Sequence, residues 1–283
     1  MNINWFPKHM RSSEVVLRKN LKSADIIFEI LDARIPRCSR DERIDLITKE
    51  KPRIVVLNKC DLSDDEGDRK WVAYFRENGA NAVTVSAVHG NGIKKLIKSA
   101  HGVLSGKTSK LHNMKDRKKA IMAMVVGIPN VGKSTLINAI AGKKKTKIAN
   151  KPGVTKFKQR VTTRNQLELL DTPGILWPKE NEETFENLAI IGAIKDEVLD
   201  LETLSLSLLK RLMDLVPRNL AQRYQIHIQD QSPLEILECI AMKRGCIRKN
   251  KNIDYMRVSH IVLGDFRKGS FGKITLEMPE DDA

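Results

Sequence analysis

The sequence predicts an α/β chain: an open, mostly parallel sheet covered by helices, followed by an all-α domain. Three observations predict it. Short apolar runs at residues 25–31, 53–57, 81–85, 120–126 and 167–170 alternate with amphipathic helical stretches. Several of these runs end in Asn, Asp or Gly, at the strand C-terminal ends where open α/β sheets hold ligands. Beyond Trp177 the apolar spacing becomes helical throughout. The expected boundaries are 1–178 for the sheet domain and 179–283 for the helical one.

In chain order, residues 10–21 read as a helix and 25–31 as the first strand. Residues 53–57 (RIVVL) form a buried strand that ends in Asn58-Lys59-Cys60-Asp61. Helices over 65–78 and 92–104 flank a strand at 81–85, which ends in Ser86-Ala87. An ionised Asp61 only accepts hydrogen bonds, and guanine presents two donors, N1–H and the 2-amino group, on one edge. Adenine lacks that pair, so it would leave the carboxylate unpaired, a loss of about 1–3 kcal/mol. Lys59 is expected over the base plane, Asn58 between this loop and the next motif, and the Cys60, Ser86 and Ala87 backbone around the base. Alone, such a turn is common; its neighbours give it weight.

Residues 105–119 are polar and basic and read as a joint. The strand at 120–126 then runs into Gly127-Ile128-Pro129-Asn130-Val131-Gly132-Lys133-Ser134, followed by Thr135, also expected at the nucleotide, and a helix over Leu136 to Ala141. This is a G-x-x-x-x-G-K-S phosphate loop in its required strand–loop–helix context. Backbone amides at the helix N-terminus favour phosphate. Lys133 is placed to reach the β- and γ-phosphates and Ser134 to bind Mg²⁺. After a strand at 160–163, the run at 167–170 ends in Asp171-Thr172-Pro173-Gly174, where Asp171 holds Mg²⁺ through water and the Gly174 N–H meets the γ-phosphate. Thr155 lies between the two, in a loop able to close over the metal. A DTPG turn or a loop threonine means little singly; order and spacing join them.

The base-reading segments therefore precede the phosphate loop, inverting the usual order. With Trp5 to Met10, Asp32-Ala33-Arg34-Ile35-Pro36 and Asp265-Phe266-Arg267-Lys268-Gly269, the chain resembles, over essentially its whole length, the circularly permuted GTPases of the bacterial ribosome biogenesis GTPase A (YlqF) family. Lys8 stands where that family usually has Gly. Many GTPases orient water with a glutamine directly after D-x-x-G; here that residue is Ile175. The resemblance implies His9 as the catalytic group that orients water, and Asn130 as a ligand for K⁺ beside the phosphates. It further implies GTP hydrolysis in late assembly of the large (50S) ribosomal subunit, with the precursor particle and its rRNA as partners. A nucleotide-gated RNA-binding placeholder with incidental hydrolysis is the alternative.

Fifty basic against 35 acidic residues leave a net charge of +15, which favours polyanions. Residues 143–160 hold eight Lys or Arg and no acid, overlapping the Thr155 loop. Charge runs are often merely solvated faces, but here they point to RNA; no DNA is expected. Aromatics are 5% of the chain, so phosphate and shape recognition is expected over base stacking. A second cluster, Lys243, Arg244, Arg248, Lys249, Lys251 and Arg257, surrounds a turn in the helical domain. Cys38, Cys60, Cys239 and Cys246 form no C-x-x-C pair and no zinc spacing; Cys239 and Cys246 are expected on one helix. With no leader and no run of about 18 apolar residues, the expectation is a cytoplasmic protein without a membrane segment.

Overall fold

The computed structural model describes residues 8–49, 51–108, 120–142, 159–163, 167–177, 181–249 and 251–279; side chains of 8–13, 16, 106–108, 159 and 160 lie outside that description. Six strands, β1 (Ile26–Asp32), β2 (Arg53–Asn58), β3 (Asn81–Val85), β4 (Ile121–Val126), β5 (Gln159–Thr162) and β6 (Leu167–Asp171), make one sheet in the order β3-β2-β1-β4-β6-β5. All pairs are parallel except β5 on β6, at the edge. Strands β1 and β2 are buried at nearly every position, the pattern of a sheet covered on both faces.

Helices α1 (Lys8–Leu21), α2 (Glu42–Thr48), α3 (Asp65–Glu77), α4 (Ile93–Thr108) and α5 (Lys133–Ala141) accompany the sheet. Two apolar clusters mark its packing. In one, Trp71 and Phe75 of α3 meet Leu31, Val55 and Leu57 of the strands. In the other, Leu17 of α1 and Ile44 of α2 join Ile27, Met124 and Leu170 with Ile175 and Trp177 from beyond β6. Helix α3 starts on Asp64, whose carboxylate accepts from the Gly67 N–H at 2.7 Å. Helix α2, seven residues long, was not foreseen. It caps on Asp41.

The chain divides into two compact units, Met1–Glu180 with Thr275–Ala283, and Asn181–Ile274. The second unit is helical: α6 (Glu182–Ile190), α7 (Leu201–Leu215), α8 (Pro217–Tyr224), α9 (Pro233–Arg244) and α10 (Tyr255–Arg267). Ser232 and Glu235 form a reciprocal capping box at the start of α9, Pro233 takes its first turn, and Gly245 ends it with φ 63°. Cys246 therefore lies beyond α9 and does not share a helix face with Cys239, contrary to expectation. The D-F-R-x-G signature is an organiser of this unit. Asp265 accepts from Arg223 at 2.9 and 3.0 Å and from the Tyr224 hydroxyl at 2.9 Å. Arg267 donates to the carbonyls of Ala189 and Ile190 and forks onto Asp196, each at 2.9 Å.

The expected boundary at 283 needs correction, because the last described residues return to the first unit. Leu276 N–H donates to the Arg34 carbonyl at 2.9 Å and Trp71 Nε1 to the Glu277 carbonyl at 3.0 Å. The buried Glu277 carboxylate accepts from the amides of Arg37 and Cys38. These bonds tie the tail to the first unit by pairing backbone and indole groups there with its backbone and its buried carboxylate. Glu277→Ala removes the carboxylate that the Arg37 and Cys38 amides donate to, and the expected loss is about 1–3 kcal/mol. Denaturant unfolding followed by far-UV circular dichroism measures it; unchanged stability would show that the tail is not structural.

Candidate functional site

Strands β1, β2, β3, β4 and β6 deliver their C-terminal ends to one edge of the sheet, and every predicted loop of the described chain begins there. Asn58 ends β2 and is 2% exposed. Its Nδ2 donates to the Val131 carbonyl of the phosphate loop at 2.7 Å, and its Oδ1 accepts from the Ala87 N–H at 3.1 Å. One amide thus joins the three loops: the bond to the phosphate loop was expected, the bond to Ala87 was not. Gly132 follows Val131 with φ 94°, and a Cβ there would collide with Asn58 Nδ2.

Gly132 also caps α5 and has no side chain to occupy the amides of the first turn, an arrangement suited to an anion. Lys133 is buried, its Nζ donating to the carbonyls of Gly127 at 3.1 Å and Ile128 at 2.7 Å. Burial pushes its pKa down to about 8, against the pull of Asp171. Asp171 ends β6, fully buried. Burial raises its pKa, partly countered by Lys133 and then by the hydroxyl of Ser134, which donates to Asp171 Oδ2 at 3.3 Å. Its other oxygen, Oδ1, is buried with no hydrogen-bond partner among the described residues. A cation fits there: a hydroxyl and a carboxylate with an unused lone pair face each other beside a lysine, the donor set of Mg²⁺ in a phosphate site. Gly174 closes against the loop, since a Cβ on it would lie 2.9 Å from Lys133 Nζ and Pro129 Cα. Asn130 holds φ 62°.

On the base side, Lys59 also has positive φ, 65°, and its ammonium lies 2.8 Å from Asp32 Oδ2. Asp61 is 23% exposed, with His89 Nε2 at 3.8 Å. Cys60 N–H donates to the Val85 carbonyl at 3.3 Å, tying the base loop to β3 just before Ser86 and Ala87. Ile175 is 1% exposed, in the core cluster that also holds Leu17. The position of the water-orienting glutamine is a core position here. His9 lies in the first turn of α1, which begins at Lys8, two residues before its expected start. Thr155, Trp5 and the basic run over 143–158 fall outside the described residues, as does most of 107–119. In the sequence Asp32 and Arg34 are visible only as part of a resemblance segment, with no task of their own; the β1–β2 register brings Asp32 beside the Asn58-Lys59 turn.

A family model described as a 50S ribosome-binding GTPase matches residues 122–239, starting at β4 and leaving out the base-reading strands that precede it. Ribosome biogenesis GTPase A of Bacillus cereus is 41% identical over 282 residues, covering 99% of this chain and 95% of the relative. The chain belongs to the ribosome biogenesis GTPase A family. Mitochondrial ribosome-associated GTPase 1 of Mus musculus is more distant, 31% identical over 294 residues, with 96% and 89% coverage. The crystal structure of GNP-bound YlqF from T. maritima superposes with a TM-score of 0.66 at 26% identity, covering 95% of this chain and 99% of that one. As a member of the ribosome biogenesis GTPase A family with this permuted fold, the chain is a guanine-nucleotide-binding GTP hydrolase of ribosome biogenesis.

The depressed Lys133 pKa gives a signed expectation. Above about pH 8 the free lysine is mostly neutral, whereas bound phosphate holds it charged, so GDP binding takes up a proton there and weakens as pH rises. Below that pH no uptake from this group is expected. Titration calorimetry in buffers of different ionisation enthalpy reads the uptake; its absence between about 8 and 10 contradicts the assignment.

Proposed function

We propose that the protein binds a precursor of the large ribosomal subunit in its GTP state, late in assembly, and leaves when GTP is hydrolysed. The observation that carries this reading is the burial of Ile175. A GTPase with a core isoleucine after D-x-x-G lacks its own water-orienting group at that position, so hydrolysis waits on a group from elsewhere in the chain that a partner brings into place. The net charge of +15 favours a polyanionic partner, which rRNA supplies. The matched family description, a 50S ribosome-binding GTPase, supports the large subunit in particular. Such a role places the protein in the cytoplasm.

In this reading Asp61 accepts guanine N1–H and the 2-amino group, Lys59 covers the base, and Ser86 and Ala87 line its edge. Val131, Gly132, Lys133, Ser134 and Thr135 hold the phosphates, and Gly174 sits by the γ-phosphate. Ser134, Thr155 and Asp171, the last through water, hold Mg²⁺, and Asn130 holds K⁺; these cations supply positive charge where phosphate charge develops. His9 orients the attacking water or accepts its proton near neutral pH. Because the segment after Gly174 leads to the helical unit, ordering at the γ-phosphate is transmitted toward its basic cluster around residues 243–257.

Ile175 also favours a second reading, a nucleotide-gated RNA placeholder whose turnover is incidental. GTP hydrolysis by wild-type and His9→Ala protein, alone and with purified large subunits, in K⁺ and in Na⁺, separates the two. The expected result is stimulation by the subunit in K⁺, reduced on the order of 10²–10⁴-fold by His9→Ala. Equal turnover with and without the subunit supports the placeholder.

A further inference from the structure

The Asp32-Ala33-Arg34 segment ends β1 beside the base-reading loop. In the parallel register Asp32 lies opposite Asn58, and the Ala33 N–H donates to the Asn58 carbonyl at 2.8 Å. Asp32 is fully buried and saturated with donors. Its Oδ1 accepts from the Arg34 N–H at 3.2 Å and Nε at 2.9 Å; its Oδ2 accepts from Arg34 Nη2 at 2.8 Å and Lys59 Nζ at 2.8 Å. Asp32's own N–H donates to Ser39 Oγ at 3.1 Å. Arg34, 1% exposed, is fixed in turn through its carbonyl, which takes the Leu276 N–H.

Lys59 is therefore held at both ends. Its backbone is in the left-handed region, which a lysine adopts only where the surroundings impose it, and its ammonium is anchored on Asp32. A lysine so held presents its methylene stem as a fixed apolar strip, and the ordering cost is met before any base arrives. Without the anchor, a long side chain of this kind samples many rotamers.

We infer that Asp32, locked by Arg34, is a positioning residue for guanine-nucleotide binding that anchors Lys59 so that its stem covers the base. This rests on the reading of Lys59 as the base-covering residue, and goes beyond it by assigning the anchor. Asp32 touches no nucleotide in this scheme; it acts only through Lys59.

A double-mutant cycle on the full chain, read as mant-GDP affinity in Mg²⁺ buffer, tests this. Asp32→Asn is expected to weaken binding about tenfold in the wild-type background, the scale of a lost charge-assisted bond. In a Lys59→Met background the same substitution is expected to add no more than roughly a twofold loss, because the lysine it positions is gone. A purely structural Asp32 would cost the same in both backgrounds, and that result overturns the inference, as does unchanged binding by Asp32→Asn alone. Wild-type binding by Lys59→Met would overturn the base-covering reading as well, so the two failures are told apart. Thermal melting accompanies each variant. Should Asp32→Asn not melt cooperatively, Asp32→Glu takes its place in the cycle: it keeps the charge for Arg34 but displaces the anchor, and the same non-additive pattern is required.

Discussion

The nucleotide site depends on one buried amide. In this chain the base-reading half lies before the phosphate loop, and no continuous segment carries both. Asn58 joins them across 73 residues to Val131 and across 29 to Ala87. Both ends of the amide are used, in a place with almost no water, where an unpaired donor or acceptor costs about 1–3 kcal/mol. The sheet order makes this possible. With β4 beside β1, and β1 beside β2, the loops after β2, β3 and β4 leave the same edge.

Electrostatics divides the site into a finished half and an unfinished one. On the base side Asp32 is balanced: burial would raise its pKa, but Arg34 and Lys59 hold it well below the usual carboxylate range. On the phosphate side Lys133 is pushed toward neutrality, Asp171 toward protonation, and Asp171 Oδ1 has no hydrogen-bond partner among the described residues. Phosphate oxygens and a divalent cation would complete a buried lysine and carboxylate in that condition. The base side is thus organised in advance, whereas the phosphate side would gain its balance from a ligand.

The motifs were legible because each is a run of adjacent residues at a strand end, and the strands themselves read clearly as apolar runs. Asn58, Lys133 and Asp171 stand where spacing put them. What escaped the sequence was long-range or short. Helix α2 is too brief to show a period. Glu277 meets Arg37 and Cys38 across some 240 residues, and nothing local in the tail signals it. Asp32 was visible as part of a signature, yet its bond to Lys59 needs the β1–β2 register. The spacing that identified Ile175 as the glutamine position could not say that the side chain is buried in the cluster that holds Leu17.

The most direct measurement is the nucleotide preference of an Asp61→Asn variant. Xanthine carries a carbonyl where guanine has its 2-amino group, so an amide that can donate there should exchange one base for the other. A site in which Asp61 reads the base while Lys133 holds the phosphates requires the variant to hydrolyse XTP in preference to GTP, and to lose XTP hydrolysis when Lys133→Met is added. A variant that still prefers GTP would contradict a guanine site assembled from the two permuted halves.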